Sequence, residues 1–137
     1  MRKSQDIIFG KQSEDILFNQ IEPKFVGLKK TKKYSEFDFE TPSLKIELKS
    51  RTFNHDKYPT TMIGYNKILK CDEEPNFRYL FIFKFLDKIL YCEYDKDIFL
   101  NFEIRKGGRK DRGTNEIKDY LYIPIDYLQH LDSLQNI

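Results

Sequence analysis

The chain has 137 residues, enough for one folded domain but not for two independent hydrophobic cores, so we expect a single domain over residues 1–137. Although 34% of the residues are charged, 12 Phe and 9 Tyr supply enough apolar bulk to exclude wholesale disorder. The net charge of +2 is too small to indicate a class of partner, so local clusters of charge carry that information.

The cysteines and the hydropathy of the chain bear on its compartment. The N-terminus has no apolar signal-peptide segment, and no run approaches the ~20 apolar residues that a membrane-spanning helix needs. Two cysteines, Cys71 and Cys92, in such a chain favour reduced thiols over a disulfide. We therefore expect a cytoplasmic protein, in a bacterial or host cell, that is not secreted and has no membrane partner.

The first predicted element is an amphipathic helix. Ser13 is a candidate N-cap, although the helix can begin earlier, near Gly10, and Glu22-Pro23 ends it. The side that we expect to be buried carries Leu17, Phe18 and Ile21. Glu14 lies one turn before that side begins. Its carboxylate is therefore either a first-turn acid that favours the helix dipole or an inward-facing candidate for a functional site.

The segment Lys24–Lys29 predicts a short strand, and a loop rich in lysine follows it. The basic residues of this segment are Lys29, Lys30, Lys32 and Lys33. A run of like charges usually forms a solvated turn. Because this run directly precedes an acidic hairpin, the alternative is a phosphate-contacting loop that includes Lys32 and Lys33.

Residues 34–51 predict a β-hairpin that turns near Pro42-Ser43. In the first strand, Phe37 and Phe39 alternate with Glu36, Asp38 and Glu40. In the second strand, Ile46 and Leu48 alternate with Lys45, Glu47, Lys49 and Arg51. One face of the hairpin is therefore predicted to be apolar, and the other to gather Asp38, Glu47 and Lys49.

The length of the loop decides whether the two acidic residues meet. An even loop, of two residues or of four from Thr41 to Leu44, places Asp38 directly opposite Glu47. An odd loop places them on opposite faces, and Glu40 or another residue would then replace Asp38. Opposed Cβ atoms are about 5 Å apart, so two carboxylates there can share one cation. The alternative is a solvated face held by cross-strand ion pairs.

The middle of the chain predicts a loop and a second helix. His55, in the loop Phe53–Pro59, is expected to be a surface residue because no second histidine lies at ligand spacing. A helix capped by Thr60 is predicted to extend to about Lys70. Lys67 lies on this helix, where it is either solvated or in contact with a phosphate.

The strongest strand pattern is Phe77–Phe85, which is apolar on both faces as in a central strand. A tight turn leads from it to a partner strand at Ile89–Tyr94. Its aromatic stripe is expected to pack in the core rather than to stack on bases. The stripe comprises Phe77, Tyr79, Phe81, Phe83 and Phe85.

Shorter elements are predicted towards the C-terminus. They are a short helix or turn at Asp97–Leu100, strands at Phe102–Arg105 and Lys118–Ile123, and a helix at Pro124–Leu131 with Asp126 as its candidate cap. Between the two strands, Lys106–Gly113 is the most basic stretch. It carries Arg109, Lys110 and Arg112 among three glycines, which suits either a phosphate contact or an ordinary hairpin tip.

The order of elements, together with Asp38 and the later run Glu47-Leu48-Lys49, resembles the PD-(D/E)xK nuclease superfamily. Phe37 stands where the name of the motif has proline. Gly10 and Glu14 resemble the first-helix glutamate signature of junction-resolving and phage endonucleases. The resemblance covers residues 10 to about 85. It implies an α/β fold, namely a restriction-endonuclease-like αβββαβ core with a mixed central sheet, flanking helices and extra C-terminal β elements.

The resemblance implies a Mg²⁺- or Mn²⁺-dependent deoxyribonuclease, and the residue types suit that chemistry because Mg²⁺ takes hard oxygen ligands. The implied metal ligands are Asp38, Glu47, the backbone carbonyl of Leu48, and Glu14, with Glu22 as the alternative to Glu14. Lys49 would orient or help deprotonate a water molecule, or balance phosphate charge. The candidate DNA contacts are Lys67, Arg109, Lys110, Arg112, Lys32 and Lys33.

The expected substrate is DNA, cut internally. The chain shows no evident sequence-reading module, so we expect structure-selective cutting of branched DNA such as a Holliday junction. Restriction-type and exonuclease activities are the alternatives. Cutting two strands needs two sites, which predicts a homodimer. The rival hypothesis is a non-enzymatic nucleic-acid-binding or assembly domain on the same fold, which would use the basic clusters.

Overall fold

The computed structural model describes residues 2–107 and 118–134, with side chains from residue 12 onward. In this part of the chain the α-helices are Arg2–Ile21 (α1), Tyr65–Glu73 (α2) and Lys96–Phe99 (α3). The strands are Lys29–Lys30 (β1), Phe39–Glu40 (β2), Leu44–Ser50 (β3), Thr60–Gly64 (β4), Arg78–Lys84 (β5), Ile89–Glu93 (β6), Glu103–Gly107 (β7), Lys118–Pro124 (β8) and Gln129–His130 (β9). Single 3₁₀ turns lie at Glu22–Lys24, Ile125–Tyr127 and Leu131–Ser133.

The strands form two sheets. The larger has the order β1-β2-β3-β5-β6-β9, in which β3 and β5 are parallel and the other neighbours are antiparallel. The smaller is antiparallel, with the order β4-β8-β7. This mixed α/β architecture confirms the predicted fold class, including the extra C-terminal β elements.

Strand β5 lies at the centre of the large sheet because its sequence is apolar on both faces. Leu80 and Ile82 pack with the α1 side of the sheet, where Leu17 and Ile21 are also fully buried. The aromatic stripe faces α2 and the small sheet, and Phe81 and Phe83 are fully buried there. Each such burial contributes about 1.5–3 kcal/mol, so the stripe serves the core, as predicted.

The N-terminal elements differ from the prediction in two ways. Helix α1 begins at Arg2, and Ser13 is a buried residue within it rather than its N-cap. No proline interrupts this helix, and one glycine, at a cost of about 1 kcal/mol, does not break it. The strand predicted at 24–29 is reduced to Lys29–Lys30, because the chain turns at Gly27, whose φ is +76°.

The predicted helix from Thr60 is wrong at its start, because Thr60–Gly64 forms strand β4 and the helix begins at Tyr65. The β-branched residues Thr60, Thr61 and Ile63 favour a strand, and β8 pairs with all five residues of β4. The paired residues of β8 lie from 56 (Gly64 to Tyr120) to 64 (Thr60 to Pro124) positions further along the chain, so the local pattern alone did not reveal the pairing. Lys67 does lie on α2, as predicted.

The predicted terminal helix at Pro124–Leu131 is also wrong. Two 3₁₀ turns flank strand β9 there, and Asp126 lies inside the first turn rather than at its cap. The edge of β6 offers Leu90 and Tyr91 as partners for β9, which favours an extended segment.

The other predicted elements, which correspond to β3, β5, β6, α3, β7 and β8, are present, but they begin or end at slightly different residues. Residues 108–113 of the basic stretch lie outside the described residues.

Two further expectations concern chemistry away from the sheets. Cys71 and Cys92 are free and buried, as expected for reduced thiols. Among the described helices, none is both long enough and apolar enough to cross a membrane.

Candidate functional site

Strand β3 carries a row of charged side chains on the face that is turned towards α2. Lys45, Glu47, Lys49 and Arg51 share this face by their spacing, while Ile46 and Leu48 pack on the α1 side. Glu47 lies beside Phe81 of the central strand, and its side chain is only 5% exposed. A carboxylate is therefore held against the aromatic core, where burial of its charge is unfavourable.

The register of the hairpin brings the second acidic residue to Glu47. Phe39 aligns with Ile46, and the Thr41 N–H donates to the Leu44 carbonyl at 2.8 Å. The loop is therefore even, as predicted, and this register continued by one residue aligns Asp38 with Glu47.

The strand before the turn is shorter than predicted, and its two phenylalanines do not share a face. Residues 36–38 form a bend, so Phe39 packs in the α1 core while Phe37 packs in the α2 core. At this bend a side chain takes the place of a backbone carbonyl in the pairing of the two strands: the Leu48 N–H donates to Oδ2 of the Asp38 carboxylate at 2.8 Å. The Phe37 carbonyl instead accepts a hydrogen bond from the Thr31 hydroxyl. These bonds direct Asp38 towards Glu47.

The two carboxyl groups are coupled. The pKa of Glu47 is raised to about 7, chiefly by burial and next by the neighbouring charge of Asp38. The charges of Lys49 and Lys67 lower that pKa, and a hydrogen bond with Asp38 favours the protonated form. Below about pH 7, Glu47 therefore holds a proton that a divalent cation can replace.

Two lysines meet at one oxygen of Glu47. The Nζ atom of Lys49 lies 3.4 Å from Glu47 Oε2, and the Nζ atom of Lys67 lies 3.6 Å from the same oxygen. Lys67 also donates to the backbone carbonyl of Glu36, lies 3.8 Å from its carboxylate, and sits above the Phe37 ring. Lys67, which sequence reasoning assigned only to DNA contact, is thus part of the acidic site.

The other residues predicted for the site lie in three parts of the chain. Glu14 is half-buried on α1, and its part in the site stays a prediction, as does that of Glu22. Lys32 and Lys33 are exposed in the loop after β1. Arg109, Lys110 and Arg112 lie outside the described residues.

Arg51, for which the sequence predicted no role, connects the strand of the candidate site to the small sheet. Its Nη2 donates to the Met62 carbonyl at 2.6 Å, and its Nε lies 3.4 Å from the Thr61 hydroxyl, so it ties β3 to the edge of β4. Burial lowers the pKa of its guanidinium. The sequence did indicate that Arg51 shares a face with Glu47 and Lys49, because it continues their alternation. It did not indicate that β4 would lie beside Arg51, because β4 was predicted to be part of a helix.

A second group of potential metal ligands lies near the turn between β5 and β6. His55, Asp56 and Asp87 each offer a ligand atom, and these atoms lie within 4.8 Å of one another. The His55 Nδ1 is 2.6 Å from Asp87 Oδ2, which already accounts for the pair as a hydrogen bond at the surface. His55 therefore has an acidic partner that its isolation in the sequence did not suggest.

The acidic site fits a hard divalent cation better than this surface group does. It has a buried and a half-buried carboxylate whose charges repel, and it offers oxygen donors, which Mg²⁺ prefers. Lysines flank the carboxylates, so a phosphate brought to such a cation would also meet positive charge. The arrangement therefore suits metal-assisted attack of water on a phosphodiester.

Comparison with known proteins agrees with this chemistry. Residues 10–131 match the family model described as "Phage putative PDDEXK endonuclease". No curated protein and no solved structure matched the chain. The matched segment spans most of the sequence and includes the hairpin, α2 and both sheets. The chain therefore belongs to this phage-associated family of PD-(D/E)xK endonucleases.

Proposed function

We propose that this protein is a metal-dependent DNA endonuclease whose active site is the Asp38–Glu47 pair with Lys49. The observation that carries the proposal is the meeting of the buried Glu47 with Asp38 on one side and two lysines on the other. Two adjacent carboxylates, one of them buried, are unfavourable unless a cation neutralises them. Ion pairs on a solvated surface do not require a buried carboxylate. Mg²⁺ or Mn²⁺ is the proposed cation.

Each residue has a proposed task. Asp38 and Glu47 would hold the cation, with the Leu48 carbonyl as a further ligand, and the cation would supply Lewis acidity for the attack of a water on the phosphate. Lys49 orients that water and balances the charge that develops on the phosphate. Lys67 holds Glu47 and the bend at Glu36 in place. Glu14 is a proposed contributor from α1.

Cleavage assays test the assignment of these roles. We expect the wild type to cut supercoiled and branched DNA with Mg²⁺ but not with chelator. Lys49→Ala should lower the cleavage rate by about 100-fold or more, because general acid–base and electrostatic contributions are of that size. Lys45→Ala is the matched control, because Lys45 lies four residues before Lys49 on the same face of β3 but pairs with Glu74. Equal rates for Lys49→Ala and the wild type would refute the role of Lys49.

The proposed substrate is branched DNA, cut by a homodimer. Three considerations support it: the chain is small, its sequence shows no evident sequence-reading module, and cutting two strands needs two sites. Rates on four-way junction, linear duplex and single-stranded DNA should favour the junction. Analytical ultracentrifugation should find two chains per junction. A preference for linear duplex, or one chain per junction, would overturn this part of the proposal but not the nuclease activity.

A further inference from the structure

Within residues 12–107 and 118–134, the hydrophobic core packs against one face of the small sheet. Its inner face is closed by Ile63, Leu121 and Ile123, which are buried in the α2 core. The pairing of β4, β8 and β7 places alternate residues on the opposite face. We call this face the tyrosine face; it comprises Met62, Arg105, Lys118, Tyr120 and Tyr122, with Glu103 at its rim.

The tyrosine face combines aromatic rings with cations. The Arg105 guanidinium lies 4.0 Å from the centroid of the Tyr122 ring, and the Lys118 Nζ lies 5.5 Å from that of Tyr120. Both rings are half-buried, while the side chain of Arg105 is 52% exposed. A side chain at Gly107 would come within 3.0 Å of the Tyr122 hydroxyl, so glycine there leaves room for the ring.

Two connections link the small sheet to the elements that carry the proposed active site. Gly64, which pairs with Tyr120, immediately precedes α2, the helix that carries Lys67. Met62, which pairs with Tyr122, accepts a hydrogen bond from Arg51, two residues after Lys49. Strand β4, which contributes Met62 to the tyrosine face, is therefore joined directly to both elements that hold Lys49 and Lys67.

We propose that the tyrosine face binds single-stranded DNA next to the cleavage site, an inference that rests on the proposed nuclease function. Aromatic rings give bases a stacking surface without regard to sequence, and the adjacent cations suit the phosphates. Single strands suit this surface better than duplex does, because their bases are free to stack. Such strands occur where branched DNA departs from full pairing.

Glu103 restrains this surface. Its Oε1 lies 3.1 Å from Arg105 Nε, so it neutralises the cation nearest to Tyr122 and places a negative charge beside the path of the phosphates. A purely structural Arg–Tyr stack would not gain DNA affinity when Glu103 loses its charge. A strand-binding surface would gain affinity, which separates the two explanations.

The test measures binding without cleavage. Fluorescence anisotropy of labelled (dT)₁₂ in EDTA should show about tenfold weaker binding for Tyr122→Ala, with affinity restored in Tyr122→Phe, because stacking needs only the ring. Arg105→Gln should weaken binding and reduce its salt dependence, while Glu103→Gln should strengthen binding about twofold to fivefold. Tyr58→Ala is the matched control, since Tyr58 is 50% exposed and has Lys57 over its ring at 5.4 Å.

The inference would be overturned if Tyr122→Ala and Arg105→Gln bound (dT)₁₂ as the wild type does, or if Tyr58→Ala weakened binding equally. Failure of the nuclease function would appear separately, as an absence of junction cleavage with Mg²⁺. Thermal unfolding of each variant identifies any loss that comes from misfolding. In that case the exposed pair, Arg105→Gln and Glu103→Gln, decides the outcome.

Discussion

At the scale of single residues, Glu47 is the point at which stability and chemistry conflict. Its carboxyl group is buried beside Phe81 and faces Asp38, so its ionised form is disfavoured in the absence of a cation. A glutamine would fill the same space without a charge. That the chain carries glutamate there is consistent with a functional demand for the charge, since active sites commonly reduce stability.

This conflict predicts an unusual dependence of stability on pH. The folded-state pKa of Glu47, about 7, lies above its ordinary value of 4.5, so the folded protein binds the extra proton between these values. The contribution of Glu47 to the free energy of unfolding therefore falls as pH rises from about 4.5 to 7. In chelator at pH 8.5, Glu47→Gln should be more stable than the wild type by about 2–3 kcal/mol, and by little at pH 4.5. Urea unfolding at both pH values measures this difference. If the stability difference between Glu47→Gln and the wild type were the same at both pH values, folding would not be linked to protonation of Glu47.

The same proton should be displaced when a metal binds. Calorimetry of Mn²⁺ binding in two buffers of different ionisation enthalpy should detect release of nearly one proton at pH 6 and little release at pH 8.5. Affinity should rise with pH over that interval. His55→Ala should behave like the wild type, because His55 belongs to the surface group with Asp56 and Asp87. Proton release that disappears in His55→Ala but persists in Glu47→Gln would contradict the assignment.

The residues of the acidic hairpin could be predicted because their evidence is local. Alternation in the two strands predicted that Asp38 and Glu47 meet if the loop between them is even, and the register of the structure makes the loop even. The contact between Lys67 and Glu47 could not be predicted, because it joins a helix and a strand whose packing no periodicity encodes. The bend at residues 36–38 was missed because a side chain, Asp38, replaces a main-chain acceptor.

At the scale of elements, local patterns predicted those strands whose neighbours are close in sequence or whose sequence is strongly apolar. Strands β5 and β6 are close in sequence and strongly apolar, and they form the predicted hairpin. Strand β4 has neither property. It pairs with β8, which is distant in sequence, and its β-branched residues stand in a segment whose apolar spacing also fits a helix. Strand β9 was missed for a similar reason, since only the edge of β6 makes it extended.

Arg51 is predicted to hold the two sheets in their relative positions. Arg51→Met keeps much of the side-chain length but removes the bonds to Met62 and Thr61, so the half-buried Arg51 site loses its polar contacts with β4. The free energy of unfolding should fall by about 1–3 kcal/mol, and hydrogen exchange should accelerate in β4. Arg78→Met is the control, because Arg78 pairs with Glu93 at the surface and should change stability by less than about 1 kcal/mol. Equal effects of the two variants would contradict a tie specific to Arg51.

At the scale of the whole molecule, the central strand β5 divides the chain into two packed layers with different tasks. The layer with α1 is a hydrophobic support behind β3. The layer with α2 and the small sheet surrounds the charged face of β3, so it positions the acidic residues and provides the tyrosine face. Fold class was predictable from the order of elements, whereas this division of tasks depended on long-range pairing between β4 and β8.

The most direct test of the account is the location of a bound metal. We predict that a crystal grown with Mn²⁺ shows an anomalous-scattering peak about 2.2 Å from carboxylate oxygens of Asp38 and Glu47 and from the Leu48 carbonyl. The peak should be absent in Glu47→Gln. A crystal in which Mn²⁺ occupies only the surface group of His55, Asp56 and Asp87, or leaves the Asp38–Glu47 site empty while the protein still cuts DNA, would contradict the account.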